Sequence, residues 1–360
     1  MSLRRKIAWI CLVVLAIGIK ILSFFPPVVE TVYSTGLYPV IARCQRLLFG
    51  WIPFSIGDIF YMLLLFGLLY GLVLLVRRAF RRQFNRAWLL SRLGRLLFVV
   101  LLVYVLFNGL WGLNYDRLGI ADQLRLDVEP YSTTDLNSLL GRIAQRLNEL
   151  DSPARADRGR LEHSRAVFDG AVGSYACLVA RDPRFVYHSP SIKSSLFGWL
   201  DNYMGFGGYY NPFTGEAQVN TDVPVFTQPY TTCHEMGHQL GYAKENEANF
   251  VGYLAARSST DPAFRYSVYF DLYIYAAREL YLRDSNLVRP IREGLHHSIR
   301  QDYRDLQQFN RKFINPFEPI IRKMYGSYLQ ANHQPQGMKT YDEVTAWLIA
   351  YGRKYGWDRI

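Results

Sequence analysis

The chain has 360 residues and a formal net charge of +11, and it is long enough for two or three structural units that include a sizeable core. Residues 1–113 hold 13 Lys and Arg against 2 Asp and Glu, and the 28 cations and 28 anions that remain cancel. Because the whole excess lies among apolar segments, its distribution argues against a nucleic-acid partner.

Three apolar segments in the first third predict transmembrane helices: residues 7–25, 59–76 and 96–113. Each is about as long as a helix rising ~1.5 Å per residue needs to cross a ~30 Å hydrocarbon core. The second and third contain no charged residue, and Lys20 lies near enough to the end of the first to reach the interface. We therefore predict a membrane domain at residues 1–113, with the lipid bilayer as its partner.

Basic residues around these segments predict the orientation of the chain. Arg4, Arg5 and Lys6 precede the first segment, and seven arginines lie at residues 77–95, between the second and third. The loop at residues 26–58 carries only Arg43 and Arg46. By the positive-inside rule the N-terminus is cytoplasmic, and everything after residue 113 is extracytoplasmic.

Residues 114–360 have the composition of a water-soluble domain, which we predict to be mostly helical. The string Ser132-Thr133-Thr134-Asp135 can cap a helix that runs to about residue 150. Further helices are predicted at residues 164–179, 264–283, 287–313, 316–329 and 341–355, with a short one within 191–199 and a loop at 332–340. Residues 38–51, in the outer loop of the membrane domain, predict an amphipathic helix at the interface.

A glycine-rich run at residues 205–208 leads into a segment that ends at Asn220. An extended substrate can bind along an edge strand through hydrogen bonds between the two main chains. The strand predicted at residues 215–220 is placed for that role, and an ordinary hairpin is the alternative. The candidate substrate-binding residues are Gly215, Glu216, Ala217 and Gln218.

The most informative motif is His234-Glu235-Met236-Gly237-His238. Two histidines four residues apart lie on the same face of a helix, where both imidazoles can reach one Zn²⁺ ion. Glu235 can take a proton from a metal-bound water, which makes it the candidate catalytic base. His234 and His238 are therefore candidate ligands of a single zinc ion.

A third ligand is expected from the next helix. Gly241 suits the left-handed conformation that ends a helix, so a second helix can begin near Glu245. On that helix Glu247 is in line with the apolar stripe of Phe250, Val251 and Leu254, and a carboxylate on such a stripe needs a partner. We therefore predict Glu247 as the third ligand, with Glu245 as the alternative.

Three strings carry a resemblance to known families: Pro-Phe-Thr-Gly-Glu-Ala at 212–217, His-Glu-Met-Gly-His-Gln at 234–239 and Glu-Asn-Glu-Ala-Asn-Phe at 245–250. Together with the three apolar segments, they resemble a family of bacterial polytopic membrane proteins of unknown function, over nearly the whole chain. The motif pair also resembles that of gluzincin metallopeptidases, in which a downstream glutamate completes the site. The spacing is closer to small regulatory peptidases with an E-x-E-A-N string than to thermolysin-like enzymes.

These features lead to one expectation for fold and function. The fold class is mainly α, with three N-terminal transmembrane helices and a mostly helical zincin-like α+β domain that contains a small sheet. The expected function is a zinc metallopeptidase in the bacterial cytoplasmic membrane that cleaves peptide or envelope-protein substrates. A non-catalytic scaffold or signalling protein with a zinc-binding ectodomain is the alternative. Tyr253, Tyr273 and Tyr341 are candidates for stabilising an oxyanion, and Cys233 is expected to pack in the core.

Overall fold

A computed structural model of the chain describes residues 2–81, 83, 85–332 and 341–360. The fold is mainly helical: 74% of these described residues are in helices, and their strands form one small sheet. The loop predicted at 332–340 lies outside the described residues, except for its first residue. The N-terminal helices are α1 (Leu3–Leu22), α2 (Pro26–Val28), a π-helix (Val29–Leu37), α3 (Tyr38–Phe49), α4 (Ile56–Phe80) and α5 (Arg86–Leu110).

The later elements lie between residues 120 and 355. The helices are α6 (Ile120–Gln123), α7 (Thr133–Arg155), α8 (Ser164–Val179), α9 (Gly198–Met204), α10 (Gln228–Gln239), α11 (Glu245–Ser258), α12 (Pro262–Arg283), α13 (Ser285–Glu293), α14 (His297–Arg311), α15 (Glu318–Ala331) and α16 (Tyr341–Tyr355). The strands are β1 (Ile192–Ser194), β2 (Gly208–Asn211) and β3 (Glu216–Val219).

Two helices, α4 and α5, are each long and apolar enough to cross a membrane. The most apolar 18 residues of each contain no residue buried inside the protein, as expected for surfaces that face lipid. They contain the predicted segments 59–76 and 96–113, except that α5 ends at Leu110 and Leu113 is buried in a following 3-10 turn. Helix α1, which carries basic residues, is long and apolar enough to cross a membrane only when it is counted together with Pro26–Phe49. A bend of 106° separates the two parts.

The sheet has the order β1-β3-β2, so β3 is its central strand. β3 pairs in parallel with β1 and antiparallel with β2, with Ala217 opposite both Ile192 and Tyr210. The prediction that residues 215–220 form an edge strand is therefore wrong. It failed because β1 pairs with the side of β3 that was expected to be unpaired. A short helix was predicted where β1 lies.

The main core lies among α7, α8, α10, α11, α12 and α16. The predicted cap at Ser132 is confirmed, since Ser132 and Asp135 hydrogen-bond reciprocally at the start of α7. That helix runs on to Arg155, past the end predicted at about residue 150. The helix predicted at 287–313 is instead two helices, α13 and α14.

A second buried cluster joins the segment after α1 to the region around α10. It consists of Val29, Tyr33, Tyr38, Ala42, Trp111, Leu113, Tyr115, Tyr210 and Ala243. The predicted domain boundary at residue 113 falls inside this cluster. The N-terminal region, by which we mean the residues up to Arg117, thus packs directly against the elements that carry the candidate site.

Candidate metal centre

Helix α10 carries the H-E-x-x-H motif and ends where the sequence predicts. Gly241 adopts the left-handed conformation with φ +85°, which a residue with a Cβ atom rarely adopts. A Cβ at this position would also lie 2.8 Å from the ring of Tyr38. After this turn α11 begins at Glu245, and both the helix end and the new helix start are confirmed.

The two imidazoles of α10 lie side by side. The ring centroids of His234 and His238 are 4.8 Å apart and the rings are nearly perpendicular. Nδ1 of His238 lies 2.7 Å from the carbonyl oxygen of Tyr242, and a hydrogen bond there leaves Nε2 as the nitrogen with a free lone pair. This is the usual way in which a protein orients a metal-binding histidine.

Glu245 supplies the carboxylate that meets both rings. One oxygen, Oε2, is 3.3 Å from His234 Nε2, and the other, Oε1, is 3.8 Å from His238 Nε2. The hydroxyl of Tyr325 in α15 donates a hydrogen bond of 2.6 Å to Oε1 of Glu245. Two imidazoles and one carboxylate therefore converge, and this is a donor set that suits Zn²⁺.

Glu247 does not take part in this arrangement. Its Oε1 is 3.7 Å from Lys244 Nζ and close to the backbone of Gly119. On this side of α11 its carboxyl group interacts electrostatically with Arg117 and Glu30. The choice of Glu247 as third ligand is corrected to Glu245, which was the alternative.

The correction has a physical reason in the packing of α11. The apolar stripe faces away from α10, since Phe250 packs against Trp347 and Tyr351 of α16. The side in line with Glu245 consists of small residues and faces α10. A Cβ on Gly252 would lie 3.0 Å from His234 Cα, tighter than most such contacts, so the glycine favours this close approach of the two helices.

Glu235 lies on the sheet side of the two histidines. Ligand atoms of His234, Glu235 and His238 all lie within 4.8 Å of one another. Glu235 is buried, and its Oε2 accepts no hydrogen bond from the described residues. A Cβ on Gly208 of β2 would lie 2.8 Å from Glu235 Oε1, so the glycine leaves room for this carboxyl.

Burial and mutual charge set the pKa values of the four groups. Burial raises the pKa of Glu235 to about 8, although His234 opposes the shift. Burial also acts to raise the pKa of Glu245, but hydrogen bonding to His234 and the charges of both histidines bring it down to about 2. Burial lowers the pKa of His238 to about 4. For His234, burial is outweighed by the bond to Glu245 and the pKa rises to about 9.

Residues of the N-terminal region hold the C-terminal end of α10 in place. The last carbonyls of a helix lack partners within the helix and need donors from elsewhere. The donors here are Trp111 Nε1 to His238 O (3.1 Å), Tyr38 Oη and Arg46 Nη1 to Gln239 O (2.9 and 3.2 Å), and Arg117 Nη1 to Gly241 O (3.1 Å). Sequence reasoning missed these residues, because no local pattern relates them to the histidines.

The predicted substrate-binding residues connect elements instead of lining an open groove. Glu216 accepts hydrogen bonds from the backbone N–H groups of Ile56 and Gly57, at 3.2 and 2.6 Å, and so caps the start of α4. Gln218 donates to Ser55 at 2.9 Å, and the carbonyl of Gly215 accepts from Gln239 in α10 at 2.8 Å. Ala217 is fully buried.

Two of the three predicted oxyanion tyrosines do not meet the histidines either. Tyr253 and Tyr273 are buried in the main core, and the side chain of Tyr341 lies outside the described residues. Tyr325 reaches the site instead, from a separate helix 80 residues from Glu245. Cys233 is buried in the main core, as expected.

No curated protein and no solved structure matches the sequence. Residues 33–349 match one family, described as "Protein of unknown function (DUF3810)". The match covers most of the chain, from the π-helix to α16, and includes every residue of the candidate centre. The chain belongs to the DUF3810 family of proteins of unknown function.

Proposed function

We propose that this protein is a membrane-anchored zinc-dependent metallopeptidase with a zincin-like catalytic domain. The observation that carries the proposal is the single carboxylate of Glu245, whose two oxygens lie 3.3 and 3.8 Å from the Nε2 atoms of His234 and His238. These three residues would hold the ion. When bound, Zn²⁺ would supply Lewis-acid chemistry, polarising a carbonyl group and acidifying a water molecule.

The chain's own residues would perform the proton transfers. Glu235 would remove a proton from the attacking water and then deliver it to the leaving amine. Its uncommitted oxygen, Oε2, is suited to this because the described residues offer it no hydrogen bond. Tyr325 and the carbonyl of Tyr242 would keep Glu245 and His238 in place, which is the role of groups that hydrogen-bond to ligands.

Strand β2 replaces β3 as the candidate for holding substrate. β2 is at the edge of the sheet and its Gly208 lies against Glu235. Asn220 N–H donates to Gly207 C=O, and hydrogen-bonded pairs alternate along antiparallel strands, so the backbone groups of Gly208 and Tyr210 point away from β3. An extended peptide could pair with these groups and lie beside the catalytic carboxyl.

The direction of the apolar helices supports the proposed extracytoplasmic site. Trp9 of α1 contacts Phe98 of α5, with 5.3 Å between ring centroids, and Ile19 and Leu22 pack with Phe107 on the second buried cluster. α1 and α5 therefore run in the same direction, with their basic starts at the end remote from the histidines. By the positive-inside rule that end would be cytoplasmic.

A purely structural zinc site would need a fourth protein ligand. Cys233 is the nearest cysteine in sequence, but it is fully buried and hydrogen-bonds to Ser174 in α8. The three candidate ligands therefore favour a centre with an open position over the scaffold alternative.

The test compares full-length wild type with Glu235→Gln and Glu247→Gln, each purified into lipid nanodiscs. Zinc content and the cleavage of a quenched fluorescent peptide library and of envelope proteins are measured. All three proteins should bind one zinc ion, and only Glu235→Gln should lose cleavage, by about 10²- to 10⁴-fold. Equal turnover by wild type and Glu235→Gln, or a wild type without zinc, would refute the proposal.

A further inference from the structure

An apolar surface lies on the outside of α9 and α15, the second of which reaches the candidate centre through Tyr325. It is formed by Leu196, Trp199 and Leu200 at α9 and by Phe317, Ile320 and Met324 at α15, and we call it the α9–α15 face. Trp199, Phe317, Ile320 and Met324 are 58%, 66%, 57% and 69% exposed. None of these large side chains is covered by the described part of the chain.

The two helices form one body. Asn315, just before α15, donates a hydrogen bond of 2.8 Å to the carbonyl of Tyr203 in α9. The ring of Tyr203 packs edge-on against Phe313 with 5.2 Å between centroids. On α15 the exposed apolar residues recur at spacings of three and four, so they form a stripe along one side of the helix. A second side of the same helix carries Tyr325, which reaches Glu245.

Contacts with α4 place this face level with the start of the apolar spans. The backbone N–H of Leu196 donates to Asp58 Oδ2 in the first turn of α4, at 2.7 Å. Tyr209, in the strand that follows α9, also hydrogen-bonds to Asp58, and its ring is 6.0 Å from that of Tyr61. Residues 58–61 are where the apolar run of α4 begins, so Leu196 is at the height of the membrane boundary.

The opposite end of α15 meets the other span. The hydroxyls of Tyr328 and Tyr115 are 3.2 Å apart, and Tyr115 follows directly after α5. Exposed Trp and Tyr side chains are typical of the interface between membrane and water. Lys312 and Lys323 are exposed, lie close in sequence to the apolar stripe and suit anionic lipid headgroups.

We propose that the α9–α15 face is embedded in the headgroup region of the bilayer and that its partner is an anionic lipid surface. The face continues the apolar surface of α4 and α5, and the basic residues beside it match the charge of such lipids. α15 then has lipid on one side and Glu245 on another, so the candidate centre is held at the membrane surface. This inference depends on the membrane association of α4 and α5 and not on hydrolase activity.

The test places single spin labels on the full-length protein in nanodiscs of phosphatidylcholine and phosphatidylglycerol. The exposed Cys11 and Cys44 are first changed to Ala. Met324→Cys and Ile320→Cys probe the face. Arg322→Cys is the matched control, because Arg322 is two residues from both positions, about 160° away round the same helix, and its side chain is 56% exposed. Leu68→Cys, 72% exposed in the middle of α4, serves as the lipid reference.

Power-saturation EPR measures collisions with oxygen, which is concentrated in lipid, and with a water-soluble nickel chelate. We expect labels at 320 and 324 to resemble 68, with high oxygen and low nickel accessibility, and the label at 322 to show the reverse. Nickel accessibility at 320 and 324 equal to that at 322 would show that the face is in water and overturn the proposal. Low accessibility to both reagents would indicate a protein partner and overturn it as well. A water-accessible label at 68 would instead contradict the membrane span.

Discussion

The two sides of the first turn of α11 have similar chemistry and different neighbours. Glu245 faces α10, where both of its oxygens meet imidazole nitrogens. Glu247 faces the N-terminal region, where Lys244 is 3.7 Å away and Arg117 forms a two-bond ion pair with Glu30 at 2.8 and 2.9 Å. Residues two apart on a helix point about 200° away from each other, so one carboxylate alone can face α10.

The comparison shows which property of a helix side identifies its partner. The apolar side of α11 faces the large core, as apolar sides generally do. The side with small residues is the one that allows the backbone of a second helix to approach, and here Gly252 lies against His234 and Gly237 lies against Ala248. A carboxylate that must reach an imidazole on the neighbouring helix belongs on the small-residue side.

The largest expected effect separates the two glutamates directly. Glu245→Gln removes a charged ligand and should weaken zinc binding by more than about 100-fold, which is the upper range for losing a group that only supports a ligand. Glu247→Gln should keep one zinc ion per chain. Zinc content by mass spectrometry and competition with a chromogenic chelator provide the measurement. The reverse pattern would restore Glu247 as the ligand.

The next effect tests the Glu247 side. Arg117 is buried, pairs with Glu30 and donates to the carbonyl of Gly241 at the end of α10. Arg117→Met leaves the Glu30 carboxylate without its main partner, and breaking a buried pair in this way costs about 3–5 kcal/mol. We expect a marked fall in the thermal unfolding midpoint of the detergent-solubilised protein.

Arg184→Met is the matched control for that substitution. Arg184 pairs with Asp182 on the surface, with its side chain 42% exposed, and such pairs contribute about 0–1 kcal/mol. Equal shifts for the two variants would mean that the N-terminal region does not stabilise the end of α10.

Local signals in the sequence predicted more of the helices than of the site. The capped start at Ser132, the helix end at Gly241 and the helix at residues 164–179 depend on nearby residues and are confirmed. β1 pairs in parallel with a strand 25 residues away, from Ile192 to Ala217, and its three residues carry no recognisable pattern. That distant pairing turned the predicted edge strand into a central one.

The candidate site likewise has residues that local spacing predicts and residues that it does not. The positions of His234, Glu235 and His238 follow from helical spacing within one turn, and the structure brings their ligand atoms together. Whether Glu245 or Glu247 reaches the histidines depends on which side of α11 packs on α10. Contacts across the whole domain decide this. Tyr325 and Arg117 come from distant segments, so no spacing rule could have found them.

The smallest expected effect tests the close packing of α10 on the Glu245 side. In Gly252→Ala the new Cβ would lie 3.0 Å from both Cα and N of His234, and the neighbour is backbone that cannot rotate away. Overpacking of this kind costs about 1–3 kcal/mol, and the displaced His234 should also bind zinc more weakly.

Gly173→Ala, in α8 with nothing within 4 Å of the new Cβ, should be neutral or stabilising by about 0.5–1 kcal/mol. Thermal unfolding and zinc competition on both variants give the comparison. If Gly252→Ala matches Gly173→Ala in both measurements, the small-residue side of α11 does not set the distance between the helices, and the reason given for choosing Glu245 over Glu247 is lost.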